Sequence, residues 1–181
     1  MRGASGTQPE GSQAPAAAGD GRQVASTRRG ELIGWGRVGL VLAVVVAVDQ
    51  LSKRAVRGAI AEGEERKLLP GIELVHTRNR GVAFGLLPGS HVLVTVLIGV
   101  ALALLVVYFA RHAAQPLLWL PTGMLLGGAL GNIIDRLDNG SVTDFIKLPL
   151  GWPPFNLADT SIVVGVALLF LVVDHQRRAD P

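Results

Sequence analysis

Long apolar runs limit what this chain can become. Val92 to Ala110, Pro116 to Ile134 and Phe155 to Val173 each come near the roughly 20 residues that a bilayer core requires of a spanning helix. A fourth run, Val38 to Val48, follows Arg28, Arg29 and Arg37 and is short enough to be the core of a signal peptide. With three spans behind it, it reads instead as a membrane helix of about Ile33 to Arg54. The expected fold class is membrane all-α, a bundle of four transmembrane helices.

Composition supports this reading. The chain has 181 residues, 49% of them hydrophobic and only 17% charged, too apolar for an ordinary soluble surface. It has no cysteine, which excludes thiol catalysis, cysteine-ligated metal and disulfides. The formal charge of +3 comes from basic residues scattered along the chain, so a nucleic-acid partner is not expected. Residues 1–30 are rich in Gly, Ala, Ser, Gln and Pro without apolar periodicity, the composition of a disordered tail. Four helices put both termini on one side, but of the 17 Lys and Arg, eight fall on that side and nine on the other. Charge counting therefore assigns no orientation.

Within the helices, Gly39, Ala43 and Ala47 form one ladder at four-residue spacing and Gly123, Gly127 and Gly131 another. Such ladders let backbones approach closely in lipid. Small residues are also simply common in membrane helices, an explanation that suits the first ladder better than the all-glycine one. Ile72 to Thr77, between Pro70-Gly71 and Arg80-Gly81, is a short strand-like run, and Asn139-Gly140 marks a turn before Ser141 to Leu148. Both connecting segments lie on the same face, which also receives Asp49, Asn132, Asp135, Arg136, Asn156 and Asp159.

Acids at a membrane boundary cost free energy unless solvated, paired or working, which draws attention to Asp144 and Asp159. Two carboxylates held close cannot both ionise, and the mixed state can deprotonate a water while donating a proton to a substrate. Each has an ordinary explanation as well. Asp144 follows a turn, where a solvated loop acid is common. Asn156 and Asp159 have the spacing of a helix cap and its capping-box partner, and local sequence alone favours that cap. Asn132 can share a helix face with Asp135 or Arg136, as in an end-of-helix hydrogen-bond network able to position a carboxylate. Asp49 and Lys53 match a helix-surface ion pair. Asn79 opens a turn-rich loop through Gly85. His76, His91, His112 and His175 show no paired metal-ligand spacing, and adjacent Ser52 and Lys53 would point apart on a helix, against a Ser-Lys dyad.

Five ordered blocks resemble the lipoprotein signal peptidase, or signal peptidase II, family: Asp49-x-x-x-Lys53, Asn79-x-Gly81-x-Ala83-Phe84, Gly131-Asn132-x-x-Asp135-Arg136, Val142-x-Asp144-Phe145 and Phe155-Asn156-x-Ala158-Asp159. The match covers about Gly34 to Val173. The resemblance implies an aspartic endopeptidase of the bacterial inner membrane, multi-pass, with both termini cytoplasmic and its site near the extracytoplasmic face. There a small β-cradle and an interfacial loop would cover a catalytic dyad of Asp144 and Asp159. Asn132, Arg136 and Asn156 would orient the dyad or hold substrate, with Asp49, Lys53, Asn79 and Asp135 in support, Asp135 taking Arg136 as its charge partner. The implied reaction cuts a diacylglyceryl-modified prolipoprotein before its lipidated cysteine, with membrane lipid as surroundings and no metal or cofactor. The chain would act as a monomer, divided into a tail at 1–30, a peptidase domain at 31–175 and a second tail at 176–181. A small proton-coupled transporter would place its acids near helix midpoints, and a structural assembly subunit would leave both acidic motifs without a task.

Overall fold

The computed structural model describes residues 17–80, 91–113, 115–149 and 151–179. It is mostly helical: α1 (Ala17–Ala59), β1 (Glu65–Leu69), β2 (Ile72–Asn79), α2 (His91–His112), α3 (Trp119–Asn139), β3 (Val142–Lys147) and α4 (Leu157–Ala179). Arg28–Ala59 and Leu157–Arg178 are long and apolar enough to cross a membrane, with mean hydropathies of 1.9 and 2.1. Their large apolar side chains point outward, Leu40, Val44, Val48 and Leu51 on α1 and Val163, Val166 and Phe170 on α4. An apolar surface this continuous suits lipid rather than water.

The α3 glycines act where α3 meets its neighbours. A Cβ on Gly123 or Gly127 would come within 2.7 and 2.8 Å of the Val41 and Val45 side chains of α1. One on Gly128 would come within 2.5 Å of the Ala158 carbonyl oxygen of α4. The ladder Gly39, Ala43 and Ala47 does no such thing: Gly39 faces open space and both alanines are exposed. On α1 the packing residues are valines that fill the glycine notches of α3. Only one helix of the pair has to be slim.

Each end of the helical layer has its own core. At the terminal end, Val38, Phe109, Ala113 and Leu118 are buried together, with Trp35 edge-on to Phe109 at 4.8 Å and the Arg37 guanidinium 5.5 Å from the centre of the Trp119 ring. At the other end, Val56, Ile60 and Phe145, joined by Leu74, Ile146 and Leu157, seat an antiparallel sheet of order β1-β2-β3 on the end of α1. Gly140 ends α3 in the left-handed conformation, φ 66°, its N–H donating to the Arg136 carbonyl at 3.1 Å. The chain can therefore turn at once into β3.

Several boundaries differ from those expected. α1 starts at Ala17, inside the segment expected to be a disordered tail, and runs to Ala59 rather than Arg54. Ala17, Ala18, Arg22, Gln23 and Ala25 are good helix formers, and elongating a nucleated helix costs little. Residues 1–16 lie outside the described residues, as do Gly81, Ala83 and Phe84 of the Asn79 block. α4 runs past the expected boundary at 175/176. β1 went unforeseen, because Glu65-Arg66-Lys67-Leu68-Leu69 is exposed throughout and so has no alternation to read.

Gly128→Ala is expected to lower the thermal midpoint in detergent, since overpacking against a backbone carbonyl costs on the order of 1–3 kcal/mol. Gly39→Ala, with open space around it, should leave the midpoint unchanged or raise it. Parallel melts of the two variants check the contrast.

Candidate active site

Asp144 lies on β3, only 2% exposed. Its Oδ2 accepts a hydrogen bond from Asn79 Nδ2 at 2.9 Å and its Oδ1 one from Asn156 Nδ2 at 2.7 Å. Thr77, directly across the sheet, donates its hydroxyl to the Asp144 carbonyl at 3.1 Å. Asp159 stands in the first turn of α4. Its N–H donates to Asn156 Oδ1 at 2.9 Å while its own Oδ2 accepts the Asn156 N–H at 3.3 Å, a reciprocal capping box that starts the helix. Cap and candidate site are thus the same residues, and the two sequence readings of Asn156 and Asp159 were never in competition.

Two carboxamides join the acids. Lys53 Nζ donates to Asn132 Oδ1 at 3.0 Å, and an ammonium can only donate, so the Asn132 oxygen must face it. Asn132 Nδ2 is then left to donate to Asp159 Oδ1 at 2.8 Å. Asn156 Nδ2, besides holding Asp144, reaches Asn132 Oδ1 at 3.2 Å. The path from Asp144 through Asn156 and Asn132 to Asp159 is continuous. β3, α3 and α4 are tied together by it.

Beneath the amides lies a buried ionic cluster. Lys53 and Asp49, both 0% exposed, are paired at 2.8 Å, and Lys53 reaches Asp135 at 3.4 Å. Arg57 reaches the other Asp135 oxygen at 3.6 Å and donates to Thr143 Oγ1 at 2.9 Å. Two carboxylates thus face two cations, the condition under which buried charges are tolerable. The remaining oxygen positions are occupied too. Asp49 Oδ1 accepts the Ala158 N–H of α4 at 3.0 Å, Asp135 Oδ2 accepts the Thr143 N–H of β3 at 2.9 Å, and Gln50 Nε2 donates to Asp49, to Asp135 and to the Gly131 carbonyl. Gly131 is the glycine that makes room: a Cβ there would fall 2.6 Å from Asp49 Oδ2.

Two expectations are corrected here. The Asp49–Lys53 pair is not on a helix surface but completely buried, because α3 closes over it. Asp135 takes its charge partners from α1, Lys53 and Arg57, not from Arg136, since adjacent residues on a helix point in different directions. Arg136 instead donates to the Asn132 backbone carbonyl at 3.2 Å. Of the residues expected around the acids, Asn79, Asn132 and Asn156 touch them and Lys53 approaches through Asn132. Gln50, Arg57, Thr77 and Thr143 were missed. Arg57 had a signal, since Asp49, Lys53 and Arg57 repeat at four-residue spacing on one helical stripe.

Burial pushes the Asp144 carboxyl up from the ordinary 3.8 to about 6. The amide of Asn79 opposes this, the nearby Asp159 carboxylate adds to it, and Asn156 and Lys53 oppose it further. Among the described residues no group of three or more His, Asp or Glu is placed to hold a metal ion.

Fold and site together define a class, that of helical membrane enzymes. Two solved bacterial membrane enzymes, both obtained by the in meso method, share the fold with TM-scores of 0.73 and 0.67 at 29% and 33% identity. They cover 81% and 76% of this chain, and 92% of each of their own chains is matched. Within that class the protein is a protease: the family model for signal peptidase (SPase) II matches residues 41–174, and the chain belongs to the signal peptidase II family. It is 37% identical over 140 residues to the lipoprotein signal peptidase of Halothermothrix orenii, covering 77% of this chain and 96% of that protein. With the lipoprotein signal peptidase of Syntrophomonas wolfei subsp. wolfei it shares 45% over 131 residues, 72% of this chain and 87% of the relative.

A raised carboxyl gives a signed pH effect. The folded protein binds the Asp144 proton more tightly than the unfolded chain, so this contribution to stability is present below 3.8 and is lost as pH rises to about 6. Midpoints for wild type and Asp144→Asn across that range should converge toward the acid end as far as this group is concerned, with the variant gaining relative stability above it. Lys53→Met should cost about 3–5 kcal/mol, because it strands Asp49 beside Asp135 without their shared cation. Denaturation in mixed micelles at neutral pH measures that loss.

Proposed function

We propose that this chain is an aspartic endopeptidase that removes the signal peptide from diacylglyceryl-modified prolipoproteins, cutting before the lipidated cysteine, with Asp144 and Asp159 as its catalytic dyad. The observation that carries the reading is the amide path linking two carboxylates in unlike environments, one buried on a strand and one at a helix start. Burial favours the shared proton on Asp144. The Asp159 carboxylate takes a proton from water, the water oxygen attacks the scissile carbonyl, and Asp144 donates its proton to the carbonyl oxygen. As the tetrahedral intermediate collapses, the C–N bond breaks, the amine leaves with the proton held on Asp159, and one of the two hydroxyls returns a proton to Asp144, giving the carboxylic acid and the dyad as it began. Asn132 and Asn156 fix both acids without adding a charge of their own. Lys53, Asp49 and Asp135 hold Asn132 and β3 in place from below.

The name shared by the relatives fits this substrate class, and the membrane setting follows from the same reading. All four helices cross the bilayer, both termini are cytoplasmic, and the sheet forms the cradle at the extracytoplasmic face of the inner membrane. Outward apolar side chains on α2 and α3 as well, Val100, Leu104 and Val107 with Leu130, support four spans. A diacylglyceryl cysteine anchored in lipid presents its peptide bond near the membrane surface, where β3 and the start of α4 meet. The acids gather at that one end, unlike those of a carrier with a site halfway along its path.

Purified protein in detergent should release the signal peptide from a diacylglyceryl-modified prolipoprotein, and chelators should not slow it. Asp144→Asn and Asp159→Asn should each reduce turnover by roughly 10²- to 10⁴-fold or more while keeping the fold. Normal turnover by either folded variant would end the dyad assignment.

A further inference from the structure

β2 carries one residue more than its partner strand requires. Glu73 and Leu74 oppose Lys147 and Ile146, but Thr77, Arg78 and Asn79 oppose Asp144, Thr143 and Val142, one step out of the first register. Val75 and His76 therefore face Phe145 together, a β-bulge. Because side chains alternate with period two, a one-residue slip exchanges the two faces of everything that follows. Were the first register to continue, His76 would oppose Asp144, and the diagonal neighbour of Asp144 would be Arg78 in place of Asn79. With the bulge, Asn79 donates to Asp144 at 2.9 Å and Arg78 pairs with Glu62 at 3.1 Å instead.

The residue that holds the bulge is His76, only 6% exposed. Three bonds tie it to the segment between α1 and β1. Its N–H donates to the Glu64 carbonyl at 3.3 Å, its carbonyl accepts the Gly63 N–H at 2.8 Å, and its ring Nδ1 meets the Ile60 carbonyl at 2.9 Å. A carbonyl can only accept, so Nδ1 carries a proton toward Ile60, and Nε2 has no hydrogen-bond partner among the described residues. Nothing in the mechanism uses this ring, and an imidazole buried with one nitrogen unsatisfied costs stability.

We propose that His76 is a positioning residue for Asp144: by pinning the extra residue of β2 to the end of α1, it sets the register that turns neutral Asn79, rather than Arg78, toward the carboxylate. The inference rests on the reading of Asp144 as a catalytic acid. Arginine is always protonated, and a guanidinium beside Asp144 would hold it ionised, whereas an amide supports it without a charge. The charged groups that face Asp144 from the helices are Asp159 of α4 and Lys53 of α1, and neither belongs to β2.

The absence of native cysteine makes the register directly readable by disulfide formation. Arg78→Cys paired with Thr143→Cys should crosslink in an otherwise unaltered chain, and Arg78→Cys with Val142→Cys should not. His76→Asn keeps an amide donor in the place of Nδ1. It should crosslink like the parent and cleave with kcat, KM and pH profile unchanged. His76→Gln carries its donor to the place of Nε2. It should move crosslinking toward the Val142→Cys pair, lower kcat about tenfold with KM within about twofold, and shift the alkaline limb of the pH–rate profile to lower pH. The proposal fails if the first pair does not crosslink in the parent, if the Gln variant keeps the parent register, or if the Asn variant is as impaired as the Gln variant. Should the Gln variant not fold, the parent crosslink and full activity of the Asn variant decide between support and rejection. A shifted register with unchanged cleavage also overturns the positioning role, and whether Asp144 is catalytic is read separately from Asp144→Asn.

Discussion

Everything in the candidate site leans on a lysine that water cannot reach. Lys53 is tolerable only because Asp49 and Asp135 stand against its ammonium, and removing any one member leaves an uncompensated buried charge. From this pairing the geometry propagates upward. The ammonium orients Asn132, Asn132 orients Asp159, and Asn156 joins that amide to Asp144. The carboxylates of the same cluster also receive backbone N–H groups of Ala158 and Thr143, so the start of α4 and the strand bearing Asp144 hang from the same charges.

Such a cluster can close only if the helices come very near each other. Glycines on α3 supply that proximity. Gly123 and Gly127 admit the valines of α1, Gly128 admits the backbone of α4, and Gly131 admits the Asp49 carboxylate itself. Packing and electrostatics are therefore not separate layers here. The notch that lets two backbones approach also brings an acid of α1 within reach of a backbone N–H of α4.

The helices and the two acids were legible in the sequence for different reasons. Helix positions follow from apolar length, which bilayer thickness constrains, while helix ends depend on caps and turns and so moved by a few residues, and by 16 at the start of α1. The glycine ladder of α3 was readable. The small-residue ladder of α1 had the same spacing and no function in packing, because a partner surface cannot be seen from one side. Asp49 and Lys53 announced themselves as a pair, but their burial depends on Gly131 and Asp135 far along the chain. Arg136 was misassigned to Asp135 because closeness in sequence is not closeness around a helix. His76 was weighed only as a metal ligand, and its bonds to Ile60, Glu64 and Gly63 depend on a bulge that no periodicity reveals.

The charge cluster also bears on how such a chain comes to be built. The stripe of α1 holds one acid, Asp49, and two bases, Lys53 and Arg57, so by itself it has a surplus positive charge. Its counter-ion, Asp135, belongs to α3, and β1, β2 and α2 are all made in between. A ribosome delivers the unbalanced helix well before the residue that balances it. Until then the polar end of α1 is better kept at a wet boundary than sunk among lipid tails, and the arrival of α3 supplies both the missing charge and the glycine surface against which α1 can settle. Maturation of the fold is in this sense an act of neutralisation, and its direction is written into the order of the helices.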